Sequence, residues 1–193
     1  IDRSRGLGDV YKRQTGDKSI YEMVCHDRYV YVCTGFGIVV IDLNKIEVKD
    51  TYIIGLNNSQ LKVKDINITN DSIFALTDLG IKAAYLNNNF LTDPNSWKDI
   101  STPSGLSFNN FENYGDDFLL YGEEKVILYY NSSRWDTLIN NPLEGLKKVR
   151  VIDDKLITCN SYSVTKYDLD LNLVENIYAY NGITGLEPND VYW

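Results

Sequence analysis

The chain says one phrase twice. Thr34-Gly35-Phe36-Gly37-Ile38 runs into VVIDL, and about 43 residues later Thr77-Asp78-Leu79-Gly80-Ile81 runs into KAAYL. A self-similar period near 40 residues, carried by short alternating segments with turns between them, is the signature of a β-propeller blade. The period constrains architecture more than any local motif does. It leaves function open, because the same architecture hosts enzymes, sensors and docking platforms.

Two weaker copies align when Ile38 and Ile81 are matched to Val126 and Val164. The four units then read HDRYVYVCTGFGIVVIDL, TNDSIFALTDLGIKAAYL, YGDDFLLYGEEKVILYYN and IDDKLITCNSYSVTKYDL. Each has a first strand ending in an acidic or Asn-rich turn, as at Asn70-Asp71, Gly115-Asp116-Asp117 and Asp153-Asp154, where side chains tolerate left-handed backbone and bond their own main chain. A second strand follows, rich in β-branched, aromatic and aliphatic residues: Tyr29 to Cys33, Ile73 to Leu76, Phe118 to Tyr121, Leu156 to Cys159. Gly37 and Gly80 then supply positive φ. Lys125 and Ser163 stand at that place in the other two units, so those turns must differ in type. The reading is an all-β partial β-propeller, with about four antiparallel blades as an open arc at residues 18–55, 61–101, 106–139 and 146–180. A fifth unit starts at 181–193. No stretch of helical periodicity or low complexity interrupts them.

Residues 1–14, IDRSRGLGDVYKRQ, are basic, lack alternation, and resemble a translated sequencing-adapter remnant of metagenomic assembly, so the propeller is read from residue 15 to 193. Setting that segment aside removes four of 19 basic and two of 27 acidic residues, which leaves a net charge near −10. Such acidity argues against nucleic acid, whose phosphates demand a Lys/Arg stripe, and against an anionic bilayer surface. No segment has the length of a membrane span.

The residues that carry chemistry elsewhere are uncommitted in this chain. Cys25, Cys33 and Cys159 are odd in number, have no metal-ligand spacing and sit in apolar runs as small hydrophobes; a Cys25–Cys33 bridge across consecutive strands is the alternative. His26, the single histidine, opens a hairpin turn without a nucleophile in a recognisable context nearby. The pairs Asp116-Asp117, Glu123-Glu124 and Asp153-Asp154 have the composition of a glycosidase dyad, but consecutive hairpin residues point apart, and their recurrence at equivalent turns reads as architecture. Asp168-Leu169-Asp170-Leu171-Asn172 lacks the glycine and distal glutamate of a calcium loop and reads as a strand-to-strand turn. Arg28, Arg134 and Arg150 do not recur at one repeat position. The expectation is no catalytic, cofactor-binding or metal-ligating residue. Aromatic residues are the surplus: fifteen tyrosines are suited to stacking sugars or anchoring partners, whereas Trp97 and Trp135, late in their repeats, read as packing between blades.

From Thr15 to Ser101 the wording itself, GDKSIYEM, FGIVVIDLNKIEVKDTYIIG and DSIFALTDLGIKAAYLNNNFLTDPNSWKDIS, resembles the N-terminal β-propeller of the PorZ family of type IX secretion components in Bacteroidota. The match holds in order and spacing over about half the chain; the later units resemble the family only as blades. The resemblance implies an exported, non-catalytic protein at the cell surface or outer membrane. It also implies a PorU-type sortase and anionic lipopolysaccharide as partners, and further domains. The family's propeller contributes no catalytic residue to carry over. The alternative is the ligand-sensing periplasmic propeller of a hybrid two-component regulator. Its D-x-x-G-x-hydrophobic-W phrase is missing from all four units.

A ring of blades closes on itself, whereas an open arc leaves two apolar sheet faces without a partner. Residues 15–193 made alone are therefore expected to self-associate, read as high-mass species in size-exclusion chromatography with light scattering. A cooperatively unfolding monomer would contradict this.

Overall fold

Among the described residues sixteen strands fold as four consecutive antiparallel meanders. The structure, a computed structural model, describes residues 16–69, 71–103, 107–122, 127–131, 134–139, 145–168 and 172–178. The expected adapter segment, the start of a fifth unit, Lys125, Val126 and the Glu123-Glu124 pair lie outside the described residues. The first sheet comprises β1 (Ile20–His26), β2 (Tyr29–Thr34), β3 (Gly37–Asp42) and β4 (Glu47–Tyr52). The second holds β5 (Val63–Thr69), β6 (Ser72–Thr77), β7 (Gly80–Tyr85) and β8 (Lys98–Ile100). The third holds β9 (Asn110–Tyr114), β10 (Asp117–Tyr121), β11 (Ile127–Asn131) and β12 (Arg134–Ile139). The fourth holds β13 (Lys148–Ile152), β14 (Lys155–Cys159), β15 (Ser163–Tyr167) and β16 (Leu173–Tyr178). In every sheet each strand pairs with the next in sequence, and the first strands β1, β5, β9 and β13 stand side by side in that order. The all-β arc of four blades read from the repeat is the architecture observed.

The repeated phrase has a local cause. In β2, Thr34 Oγ1 donates to the Gly37 carbonyl at 2.8 Å and accepts from Phe36 N–H at 3.3 Å. Thr77 does the same in β6, donating to Gly80 O at 2.7 Å and accepting from Leu79 N–H at 3.1 Å. One hydroxyl thus closes the β2–β3 and β6–β7 turns. Gly37 is required twice over: its φ is +144°, and a Cβ there would lie 2.2 Å from the Tyr52 carbonyl oxygen. The fourth unit solves the same turn differently. Asn160 Oδ1 accepts from the backbone N–H of Tyr162 and Ser163 at 2.8 and 2.7 Å, which explains how Ser163 replaces glycine. Of the turns read as left-handed, Asp153 and Asp154 have φ of +47° and +56°, in the third unit Gly115 takes the positive φ (+60°) instead of its acids, and Asn70 lies outside the described residues; Asp27, at +51°, turns the first hairpin.

Packing between sheets forms the core. Tyr31, Cys33, Ile38, Val40, Ile54, Val63, Ile66 and Ile73 fill the first interface. Trp97 closes its outer end, donating Nε1–H to Leu91 O at 3.0 Å, with its ring 6.3 Å from that of Tyr52. The second interface is aromatic and centred on Phe118, which is fully buried. Its ring lies 4.9 Å from Phe74, 5.0 Å from Phe111 and 5.0 Å from Tyr130. Trp135 joins at 6.2 Å and donates Nε1–H to Ser101 O across the sheets. Both tryptophans therefore pack between blades. Leu119, Tyr121, Leu146, Val149 and Leu156 form the third interface. The far face of the first sheet carries Val32 and Val39 beside Met23, and Val30 and Ile41 beside Val48; Met23 is 60% and Val48 44% exposed.

All three cysteines are free, so the Cys25–Cys33 alternative is not realised: Cys25 is exposed and Cys33 buried on neighbouring strands. In β1 paired with β2, Cys25 stands opposite Val30 and Cys33 opposite Glu22. Cys33 lies three residues along β2 from Val30, the partner of Cys25, and that odd offset sends the two side chains to opposite faces.

Because Phe118 touches rings from β6, β9, β11 and β12, Phe118→Ala is expected to cost about 3–5 kcal/mol in urea unfolding of the full-length protein. Thr77→Ala, which removes one turn hydroxyl, should cost about 1 kcal/mol.

Candidate functional site

Two concavities bring polar side chains of neighbouring sheets together. One runs along the axis, on the four first strands. The other opens at the rim between the first two sheets.

The axial groove, of about 360 Å³, is lined by β1, β5, β9 and β13. Its construction starts with a register irregularity at the same place in two units, between Ile20 and Glu22 in β1 and between Val63 and Asp65 in β5. Such a bulge re-aims the side chains that follow it, and an acid follows in both. Asp65 is 4% exposed. Its Oδ1 accepts from Ile66 N–H and its Oδ2 from Phe111 N–H, each at 2.7 Å. One buried carboxylate thereby ties the second sheet to the third.

Further rungs follow the axis. Lys64 Nζ donates to Phe108 O and Asn109 Oδ1, both at 3.2 Å, Asn67 Nδ2 donates to Asn113 Oδ1 at 2.6 Å, and Thr69 Oγ1 donates to Asp116 O at 2.7 Å. Glu112 repeats the device onto the fourth sheet, accepting from Val151 N–H at 3.0 Å and from Arg150 Nη1 at 2.8 Å. These polar residues satisfy backbone and side-chain groups of the next blade, as buried polar groups must.

Charge is divided across the groove. Glu22 and Asp65 stand on β1 and β5, Lys148 and Arg150 on β13, and the Asn67 and Asn113 amides lie between. Asn67 is 4% exposed, and its Oδ1 has no hydrogen-bond partner.

The rim cleft, about 480 Å³, is bounded by Tyr29, Tyr31 and Tyr52 of the first sheet and by Asn87, Asn88, Asn89 and Thr92 of the β7–β8 connection. Three of the fifteen tyrosines meet here. The Tyr29 ring is already engaged, with Lys49 Nζ 4.3 Å and Arg28 Cζ 5.0 Å from its centroid. Tyr31 and Tyr52 are each 4% exposed. Burial first, then neighbouring tyrosines and acids, pushes both phenols up, so their hydroxyls are neutral donors. The cleft is suited to hydrogen bonding with a partner rather than to stacking a ring on Tyr29.

The candidates read from sequence fall as follows. His26 lines both concavities, half-exposed, with Nε2 3.7 Å from Asp27 Oδ2. Asp116, Asp153 and Asp154 sit in their turns. Asp168 Oδ1 accepts from Asn172 N–H at 2.8 Å, while Leu169, Asp170 and Leu171 between them lie outside the described residues. The arginines form separate ion pairs: Arg28 with buried Asp42 at 3.3 Å, Arg134 with Asp136 at 2.7 Å, Arg150 with Glu112 at 2.8 Å. Among the described residues no group of three or more His, Cys, Asp or Glu side chains is placed to hold a metal ion, and no helix is long and apolar enough to cross a membrane. Sequence reasoning missed Asp65, Asn67 and Glu112; the signal was available as polar residues inside otherwise apolar first strands.

Burial, the largest cause, pushes the Asp65 carboxyl up to about 7 against the two N–H donors, with Glu22 adding to the rise. The unfolded carboxyl titrates near 3.8, so between about pH 4 and 7 the folded state binds the extra proton. Stability from this group is therefore fully present below pH 4 and declines as pH rises through 7. Urea midpoints of the full-length protein should fall from pH 5.5 to 7.5, and the fall should shrink in Asp65→Asn. An equal fall in both proteins would remove Asp65 as its source.

Comparison with known proteins is consistent with this geometry. No protein of curated function matches the chain. The structure of PorZ, an essential bacterial surface component of the type IX secretion system of Porphyromonas gingivalis, superposes with a TM-score of 0.65 at 19% identity, covering 83% of this chain and 21% of that one. The extracellular domain of the hybrid two-component system BT4673 from B. thetaiotaomicron gives 0.63 at 12% identity, over 87% and 22% of the two chains. BamB from Moraxella catarrhalis gives 0.54 at 12%, over 81% and 49%. At these identities the likeness is one of fold. The present chain spans about a fifth of the PorZ structure's length. The family evidence is in the sequence: residues 8–98, which include the first sheet, β5 to β7 and the rim cleft, match the family described as the type IX secretion PorZ N-terminal β-propeller domain.

Proposed function

We propose that this chain is part of a non-catalytic cell-surface component of type IX secretion, in which the propeller acts as a rigid scaffold for partners. The observation that carries the reading is the family match over residues 8–98, supported by the PorZ-like fold of the arc. The polar architecture is consistent with it. Asp65, Glu112 and Lys64 are spent on joining blades, and the turn acids on closing hairpins. A scaffold places recognition on loops at one rim. The cleft between Tyr29, Tyr52 and the Asn87–Asn89 segment has that position and combines tyrosine hydroxyls with amides, a composition suited to protein or glycan contact. The partners on this reading are secretion-complex proteins, a PorU-type sortase among them, and anionic lipopolysaccharide. The sensor reading has only likeness of fold behind it.

Deletion of the native gene in its host is the test. Cargo attachment at the cell surface should be lost and then restored by a full-length copy carrying His26→Ala, Asp116→Asn and Asp153→Asn. Normal attachment without the gene would overturn the secretion reading. Failure of that copy to restore attachment, at normal protein levels, would overturn the non-catalytic one.

A further inference from the structure

We propose that the rim cleft seats an arginine side chain of a partner polypeptide, its guanidinium shared between the Asp50 carboxylate and the hydroxyl oxygens of Tyr31 and Tyr52. This rests on the scaffold reading only in taking the cleft as a contact site. The two phenols carry it. Tyr31 and Tyr52 are each 4% exposed, and both line the 480 Å³ cleft. Among the described residues neither hydroxyl has a hydrogen-bond partner, and neither oxygen is sealed from solvent. Each therefore presents a free polar end to the cleft while the rest of its ring is packed. A hydroxyl held without a partner in a mostly buried position is costly, and a bound group that pairs with it removes that cost. An apolar occupant would leave the cost in place.

Charge then selects the occupant. Asp50 stands on β4 two residues before Tyr52. After burial, its carboxylate is among the groups that push both phenols up, so it lies within electrostatic reach of both. Asp27, in the β1–β2 turn, acts on Tyr31 in the same sense and has His26 Nε2 at 3.7 Å. Against these two carboxylates the lining holds one lysine. Lys49 Nζ is 3.9 Å from Asp50 and 4.3 Å from the Tyr29 ring centroid, so the cleft already draws in a cation of its own. Arg28 beside it is matched by buried Asp42. An anionic occupant would meet Asp27 and Asp50 on a chain of net charge −8, and a neutral sugar would use the hydroxyls without using the charge. A guanidinium has five donors in a planar fork and no acceptor, so it can meet a carboxylate and two neutral phenol oxygens together, whereas an ammonium concentrates its donors at one point.

The test is calorimetry on the full-length protein with N-acetyl-L-argininamide, its citrulline counterpart and methyl α-D-mannoside. The arginine compound is expected to bind in the millimolar range, and the citrulline compound, of the same shape but uncharged, about tenfold more weakly or worse. Asp50→Asn, at a partly exposed position, should weaken the arginine compound by a similar factor. Lys49→Met, which removes a like charge, should strengthen it. The double variant Tyr31→Phe with Tyr52→Phe removes only the two hydroxyls and should keep its melting temperature while losing affinity. Absence of heat from the arginine compound at millimolar concentration would overturn the proposal. Equal binding of the arginine and citrulline compounds would overturn it too, as would binding of the mannoside alone, the behaviour of a glycan site. Cargo attachment after gene deletion is a separate measurement, so the arginine site and the secretion reading fail independently.

Discussion

Contact between successive sheets is the constraint on which everything else in this molecule rests. A four-stranded meander alternates side chains to two faces, and here both faces of the middle strands are apolar, so no blade is stable alone. Stacking removes that surface from water at about 25 cal/mol per Å². The three interfaces solve the problem with different side chains. The first is aliphatic with one tryptophan at its outer end, the second is built of rings around Phe118, and the third is a small aliphatic set with Tyr121.

Toward the axis the apolar solution fails, because the first strands converge and expose backbone groups of the neighbouring blade. The chain answers with side chains that act as backbone partners. Asp65 reaches Phe111 N–H and Glu112 reaches Val151 N–H, one blade further along each time. The same convergence creates the axial groove, so its charge pattern is partly a by-product of joining blades. Lys148 on β13 acts on the Asp65 carboxyl in the direction opposite to burial, so the groove's charges serve one another across the seam.

The rim behaves differently. There the connections vary in length and composition, and the β7–β8 connection brings Leu91 and the Asn87–Asn89 run up to tyrosines of the preceding sheet. A rigid arc beneath and a variable rim above is the division of labour expected of a binding scaffold. It also explains why residues with catalytic potential, His26 and the turn acids, remain dispersed: the turns they occupy lie on different blades.

Blade number, hairpin turns and the interblade role of both tryptophans were legible in the sequence, because each is governed by short-range chemistry. Thr34 and Thr77 close their turns within three residues, and Asp153 and Asp154 turn their hairpin with positive φ. The family wording of the first two units was legible for the same reason. The groove and the cleft were not, because their walls come from residues far apart in the chain, such as Asp65 and Phe111 or Tyr31 and Asn88, and the repeat does not say which of their side chains meet. Parity on the strand also decided what composition left open, sending Cys25 and Cys33 to opposite faces. Local sequence thus determined the blades, and only their stacking determined which polar groups are spent on neighbours and which stay available.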